Sequence, residues 1–266
     1  MSNPVYFFLL DGVRPDALDI AHTPHLDALR GRGSYTMSAH SLMPTITLPC
    51  HMSMFYSVTV GRHGTTNNTP TPMARPLPSI VDQVTKSGKK AAFFTSWDGF
   101  SALHEAGNLD FNFMLNYVDE KGMPRLHVDD ELTTAVSQYA PQLNSDFTFI
   151  YYGTTDSAGH AFGWMSDGYL KQIERVDQQF GKAVASLPEN AVILVQADHG
   201  GHEKTHGTDM PEDVLIPWII AGPQIRQRHQ IEQQITLLDT APTLAHFAGV
   251  PLHSQWEGDL PEEILL

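Results

Sequence analysis

Three aspartates and three histidines are the residues of this chain whose types and spacing could do chemistry. Asp11 closes the apolar run VYFFLL, Asp156 follows FTFIYYG by way of two threonines, and Asp198 ends AVILVQA. His160 stands four residues after Asp156 in DSAGH, His199 adjoins Asp198 in ADHGG, and His206 follows in HEKTHGT. A lone Asp at the end of a strand is commonly a helix cap or a turn residue, and a lone His is usually no ligand. Mixed Asp and His recurring together supply the carboxylate oxygens and imidazole nitrogens that zinc or a similar divalent ion takes. Six such groups exceed what one tetrahedral ion needs if it is to keep an open position. Two ions about 4 Å apart use the surplus and can clamp the attacking and leaving oxygens of a phosphoryl displacement.

A nucleophile is to be sought in MPTITLPCHMSM, residues 43–54, which contains Thr45, Thr47 and the chain's one cysteine, Cys50. The segment turns helical near Leu48. A hydroxyl at that end meets unsatisfied backbone N–H groups and the positive end of the helix dipole, which also favour an anion. The same geometry suits Thr47 as an ordinary cap. Cys50 falls in the first turn, where a thiol can ionise more readily, but His51 is adjacent, and neighbours on a helix diverge rather than pair.

The elements that must position these groups read as alternating strands and helices. Runs 5–10, 91–96, 147–153, 191–197 and 215–222 are apolar nearly throughout, which predicts strands covered on both faces of a largely parallel sheet. Helices are expected over 24–31, 47–57, 77–87, 129–139, 166–186 and 238–248. The pattern is that of a doubly wound α/β fold, whose ligands bind beyond the carboxyl ends of the strands. One domain spanning 1–266 is expected, with residues 99–128 as a candidate small insertion and 65–78 as a long surface loop.

Composition narrows the function classes. Sixteen Lys and Arg against thirty Asp and Glu give a net charge of −14, with no basic stripe for nucleic acid or anionic membrane. Such a chain needs bound cations to handle an anion. The apolar run near the start ends at Asp11, too early for a membrane span or signal anchor. One cysteine excludes an internal disulfide and agrees with a reducing, cytoplasmic setting. The sequence sets no oligomeric state.

Together LLDGVRPD, PTITLPCHMSMFYSVTVGRHG, TTDSAGHAFG, ADHGG and HGTDMPEDVLIPWIIAGP, in this order, resemble the alkaline phosphatase superfamily, within it the type I phosphodiesterase and nucleotide pyrophosphatase branch. The resemblance implies that Asp11, Asp198 and His199 hold one metal and Asp156, His160 and His206 the other, zinc being expected and manganese the alternative. It implies that Thr47 attacks phosphorus, forms a phosphothreonine and ligates a metal. Cys50 then stands where the branch usually has an Asn that contacts a phosphate oxygen, and a thiol is a weak donor there. His202 is a further candidate for substrate contact or for shaping its loop.

The expected activity is hydrolysis of a small-molecule phosphate ester, monoester or diester. Three rivals remain: a metal-binding protein of the same fold without catalysis, a phosphomutase, and a sulfatase. The last needs a Cys-x-Pro-x-Arg-like segment, whereas Cys50 is followed by HMSM.

Overall fold

Eight strands hydrogen-bond into one sheet in the computed structural model, which describes residues 3–266. They are β1 (Val5–Leu10), β2 (Ser34–His40), β3 (Ala91–Thr95), β4 (Phe111–Met114), β5 (Phe147–Tyr152), β6 (Val192–Gln196), β7 (Leu215–Ala221) and β8 (His229–Gln230). Their spatial order is β4-β3-β5-β1-β6-β7-β2-β8. Pairing is parallel except where β7 meets β6 and β2. This is the doubly wound, largely parallel α/β sheet expected from the alternation of elements.

Every residue of β1, β3, β5 and β6 is buried, because helices cover both faces. On one face lies helix Asp167–Ser186. Its buried Tyr169, Ile173, Val176, Phe180 and Ala183 recur at the helical period, and Ser166 caps its first turn by accepting from Tyr169 N–H. Phe180 meets Phe8 of β1 edge-on at 5.0 Å. On the other face helix Thr47–Tyr56 is buried along its whole length, with Phe55 packed edge-on against Phe149 at 5.0 Å. Truncating an aromatic side chain in such a setting costs about 3–5 kcal/mol.

Several elements differ from expectation. The strand at 34–40 was unexpected because SYTMSAH is polar and only half-buried. It forms by antiparallel pairing with the apolar β7. The 77–87 helix starts at Ile80, since Ser79 and Asp82 close a reciprocal capping box there. The helix at 129–139 runs over Val128–Leu143. A further helix, Thr154–Phe162, begins two residues after β5, in a segment of small and β-branched residues with little apolar periodicity. Residues 99–128 add β4 to the sheet edge beside β3, and 65–78 is a loop with no helix or strand.

The parallel strands β5, β1 and β6 are neighbours, so the residues following them gather at one edge. Gly12 lets them approach closely: its φ is +70°, and a Cβ there would lie 3.0 Å from the Cα of Asp156. No helix among the described residues is long and apolar enough to cross a membrane.

Candidate metal centre and active site

Asp11, Asp156 and Asp198 meet at this edge, and each keeps one buried carboxylate oxygen without a hydrogen-bond partner: Asp11 Oδ1, Asp156 Oδ1 and Asp198 Oδ2. The remaining oxygens of the two deepest are held. Tyr151 donates its hydroxyl to Asp11 Oδ2, and Asp198 Oδ1 accepts from Gly12 N–H at 3.2 Å and His199 N–H at 3.0 Å. Burial, reinforced by Asp198 and Asp156, pushes the Asp11 carboxyl well above the ordinary range. Burial and Asp156 push Asp198 up to about 8. Like charges gathered out of water resist ionisation together, so the cluster is built for a cation.

The histidines complete the same logic. His199 Nδ1 donates to the Gly200 carbonyl at 2.8 Å, His206 Nδ1 to Thr45 at 2.7 Å, and His160 Nδ1 to Lys204 at 2.9 Å. A carbonyl only accepts, so in each neutral ring Nε2 carries the lone pair. That lone pair faces carboxylate: His199 Nε2 lies 3.4 Å from both Asp11 Oδ1 and Asp198 Oδ2, and His160 and His206 Nε2 lie 3.4 and 3.6 Å from Asp156 Oδ1. Acceptor facing acceptor is repulsive until a cation lies between them. Anchoring the far ring nitrogen on a carbonyl is how metal-ligating imidazoles are commonly oriented.

Two donor groups have their ligand atoms within 4.8 Å of one another, Asp11–Asp198–His199 and Asp156–His199–His206. These groups hold five of the six expected ligands, with His199 in both, and the sixth, His160, adjoins them through Asp156. His160 is outermost, its side chain 45% exposed. The mixed nitrogen and oxygen donors suit zinc. Burial and the neighbouring His199 lower His206 to about 4, which keeps its ring neutral and able to bind a metal.

Thr47 opens its helix, with Oγ1 3.4 Å from His199 Nε2. It lines a cavity of about 260 Å³ with Asp11, Asp156, Asn68, Tyr151, Ser96, Trp97 and Tyr117 among its walls. Thr45 donates its hydroxyl to the Thr208 carbonyl at 2.9 Å and so ties down the loop carrying His206.

Cys50 requires a correction. It is fully buried and does not line the cavity; its thiol lies 3.3 Å from Ser41 Oγ and points at the carbonyls of Leu42 and Pro44. Burial, with Asp198 nearby, pushes the thiol far above its ordinary range. The expected substrate contact at Cys50 is absent because the side chain turns beneath the 41–44 segment. His202 is likewise no cavity residue. Its Nδ1 pairs with Asp213 Oδ1 at 2.8 Å, and Asp213 also accepts from Thr208, so His202 braces the loop that presents His206.

An amide does stand beside Thr47, on a residue other than Cys50. Asn68 reaches back from the 65–78 loop, its Oδ1 accepting from Leu48 N–H at 3.0 Å, which leaves its amide nitrogen for the cavity beside Thr47. Sequence reasoning missed it because the contact spans 20 residues and the loop has no periodicity. Tyr151 was missed too; only the polar tip of an otherwise apolar strand hinted at it.

Residues 5–214 match the model of the type I phosphodiesterase / nucleotide pyrophosphatase family. Phosphopentomutase of Acetivibrio thermocellus is 23% identical over 137 residues, covering 51% of this chain. The matched part spans only 35% of that enzyme's length. Among solved structures, murine ectonucleotide pyrophosphatase/phosphodiesterase 5, an inactive form in complex with AMP, superposes with a TM-score of 0.83 at 13% identity, covering 99% of this chain and all (100%) of that one. The phosphonate monoester hydrolase of Silicibacter pomeroyi does so with a TM-score of 0.75 at 17% identity, covering 98% and 76%. At these identities the structures speak for the fold, and the family-model match, which covers most of the chain, speaks for the family. This chain belongs to the type I phosphodiesterase/nucleotide pyrophosphatase family.

Proposed function

We propose that this protein hydrolyses small-molecule phosphate esters through a phosphothreonine formed on Thr47. The observation that carries the reading is the Thr47 hydroxyl standing 3.4 Å from His199 Nε2 in a cavity bordered by carboxylates with unpaired buried oxygens. Two divalent ions, zinc or alternatively manganese, held by Asp11, Asp198 and His199 and by Asp156, His160 and His206, would supply the positive charge that acidifies the threonine hydroxyl and receives the phosphoryl oxygens.

The protein's own groups do the rest. Thr47 Oγ1 attacks phosphorus and the P–O bond to the alcohol breaks, the alcohol leaving with a proton. Water then cleaves the bond between Thr47 and the phosphoryl group and restores the hydroxyl. The Asn68 amide donates to a phosphoryl oxygen, a contact that strengthens as charge develops there. Tyr151 fixes the orientation of Asp11. Trp97 and Tyr117 line the same cavity and suit a planar substituent, which agrees with the AMP recorded in the murine relative's structure.

The phosphopentomutase match favours one second reading, in which phosphorylated Thr47 returns the group to a sugar rather than to water. Sulfatases also share this fold, but the burial of Cys50 outside the cavity speaks against a sulfatase reading. Turnover of paired chromogenic monoesters and diesters by zinc-loaded protein, with and without a pentose phosphate acceptor, separates the two. Thr47→Ala is expected to abolish turnover at unchanged zinc content. Activity retained by that variant, or after exhaustive chelation, refutes the reading.

A further inference from the structure

A buried tryptophan ordinarily rests on apolar side chains, but the ring of Trp164 lies against the metal centre. Trp164 stands two residues past helix Thr154–Phe162 and is 6% exposed. Its ring centroid is 5.1 Å from that of His160 and 5.9 Å from that of His206, with the planes steeply inclined at 87° and 64°. Two glycines open the space it fills, one directly before His160 and one two residues after His199. A Cβ would lie 2.6 Å from the indole at Gly159 and 2.3 Å from it at Gly201, so neither position admits a side chain while the ring is there.

Hydrogen bonds fix the indole at two points. The Trp164 backbone N–H donates to the Glu203 carbonyl at 2.7 Å, in the loop that leads to His206. Nε1–H donates to the Gly12 carbonyl at 2.9 Å, and Gly12 in turn abuts the Cα of Asp156. Trp164 therefore touches His160 and His206 directly and reaches Asp156 through Gly12. The need is greatest at His160, whose half-exposed ring is held by its Nδ1 bond to the Lys204 carbonyl. One hydrogen bond leaves an imidazole free to pivot, and a rigid ring packed across it does not. The other ligand group is secured differently. Without Trp164, Gly12 still accepts from the Tyr169 hydroxyl at 2.8 Å and donates to Asp198 Oδ1 at 3.2 Å, and His199 keeps its bond to Gly200. Trp164 is not among the residues lining the cavity, so its effect on chemistry passes through these ligands.

We infer that Trp164 is a positioning residue for one of the two metal ions, its indole holding the His160 and His206 imidazoles in the orientation that binds the ion shared with Asp156. The inference rests on the ligand assignment of the function proposed above. Groups that orient metal ligands from behind commonly contribute roughly 10–100-fold to metal affinity or activity.

Metal binding tests this without relying on turnover. Metal-free wild type, Trp164→Leu, Trp164→Phe and His160→Ala are titrated with cobalt(II) and followed by visible absorption, with bound metal counted after dialysis. The wild type is expected to bind two ions. Trp164→Leu is expected to weaken one of them by roughly 10–100-fold and leave the other at wild-type affinity, the weakened ion having the absorption band that His160→Ala also loses. Trp164→Phe, which keeps a ring beside the histidines, is expected to fall between Trp164→Leu and the wild type. Wild-type affinity for both ions in Trp164→Leu overturns the inference, even if the metal-free variant melts at a lower temperature, since Trp164 is then a packing residue only. Equal weakening of both ions, or a wild type that binds a single ion, overturns it too. Hydrolysis of a p-nitrophenyl ester by the zinc-loaded wild type is scored separately; its absence refutes the proposed function, while the cobalt affinities decide the role of Trp164.

Discussion

Stripping the metal should make the fold lose stability as the pH rises above neutrality, and restoring zinc should remove most of that loss. The Asp198 carboxyl is raised from 3.8 to about 8 by burial first and Asp156 second. A carboxyl whose folded value is raised stabilises the fold fully at pH below its unfolded value, and that stability drains away as the pH climbs through the folded value. Buried histidines act in the opposite sense at lower pH. Burial lowers His51 to about 3 and His63 and His206 to about 4, so their contribution is present above the unfolded value of 6.5 and is lost as the pH falls towards 4. The window free of these is therefore pH 6.5 to 8. Across it the folded carboxyl holds a proton that the unfolded one has lost, at about 1.4 kcal/mol per pH step, so Asp198 alone costs the chelated protein about 2 kcal/mol. For a chain of this size that is a fall of roughly 4–8 °C in melting temperature. Asp11, raised in the same direction, adds to it. Asp129, raised to about 7 by burial, titrates in both forms and is removed from the comparison by Asp129→Asn. Scanning calorimetry of chelated and zinc-reconstituted protein at pH 6.5 and 8 should show a steep fall in the first and a nearly flat response in the second, where the cation keeps the carboxylates ionised. Parallel curves would refute the reasoning that the unpaired carboxylate oxygens await a cation.

Asn68→Ala is expected to lower kcat/KM for a chromogenic phosphate ester by roughly 10²–10³-fold, the loss typical of one donor to a developing oxyanion, with zinc content unchanged; steady-state kinetics and metal analysis check it. Cys50→Ala should leave kcat and KM unaltered and cost about 1 kcal/mol of stability through lost packing, as read by denaturant unfolding. The native thiol should resist alkylation until the protein unfolds, because burial holds it protonated.

Much of the centre was legible in the sequence because its signals are local. All-apolar runs imply strands covered on both faces, and the acids and histidines that follow β1, β5 and β6 needed only parallel neighbours to converge. What escaped depends on contacts distant in sequence. The polar β2 becomes a strand only against β7. Asn68 reaches Leu48 across a loop without periodicity. Cys50 occupies a promising position in the chain, but the direction of its side chain is set by the 41–44 segment packed over it. Which hydroxyls are satisfied, as those of Thr45 and Thr155 are and that of Ser96 is not, follows from tertiary geometry alone.

The central claim is that Thr47 carries the phosphoryl group, and acid quenching during turnover tests it most directly. Zinc-loaded protein is mixed with excess p-nitrophenyl phosphate ester, quenched within one turnover and digested for mass spectrometry. The account predicts one added phosphoryl group on the peptide containing Thr47, localised to that residue by fragmentation and absent from Thr47→Ala. Turnover with no adduct, or with the adduct on another residue, contradicts it.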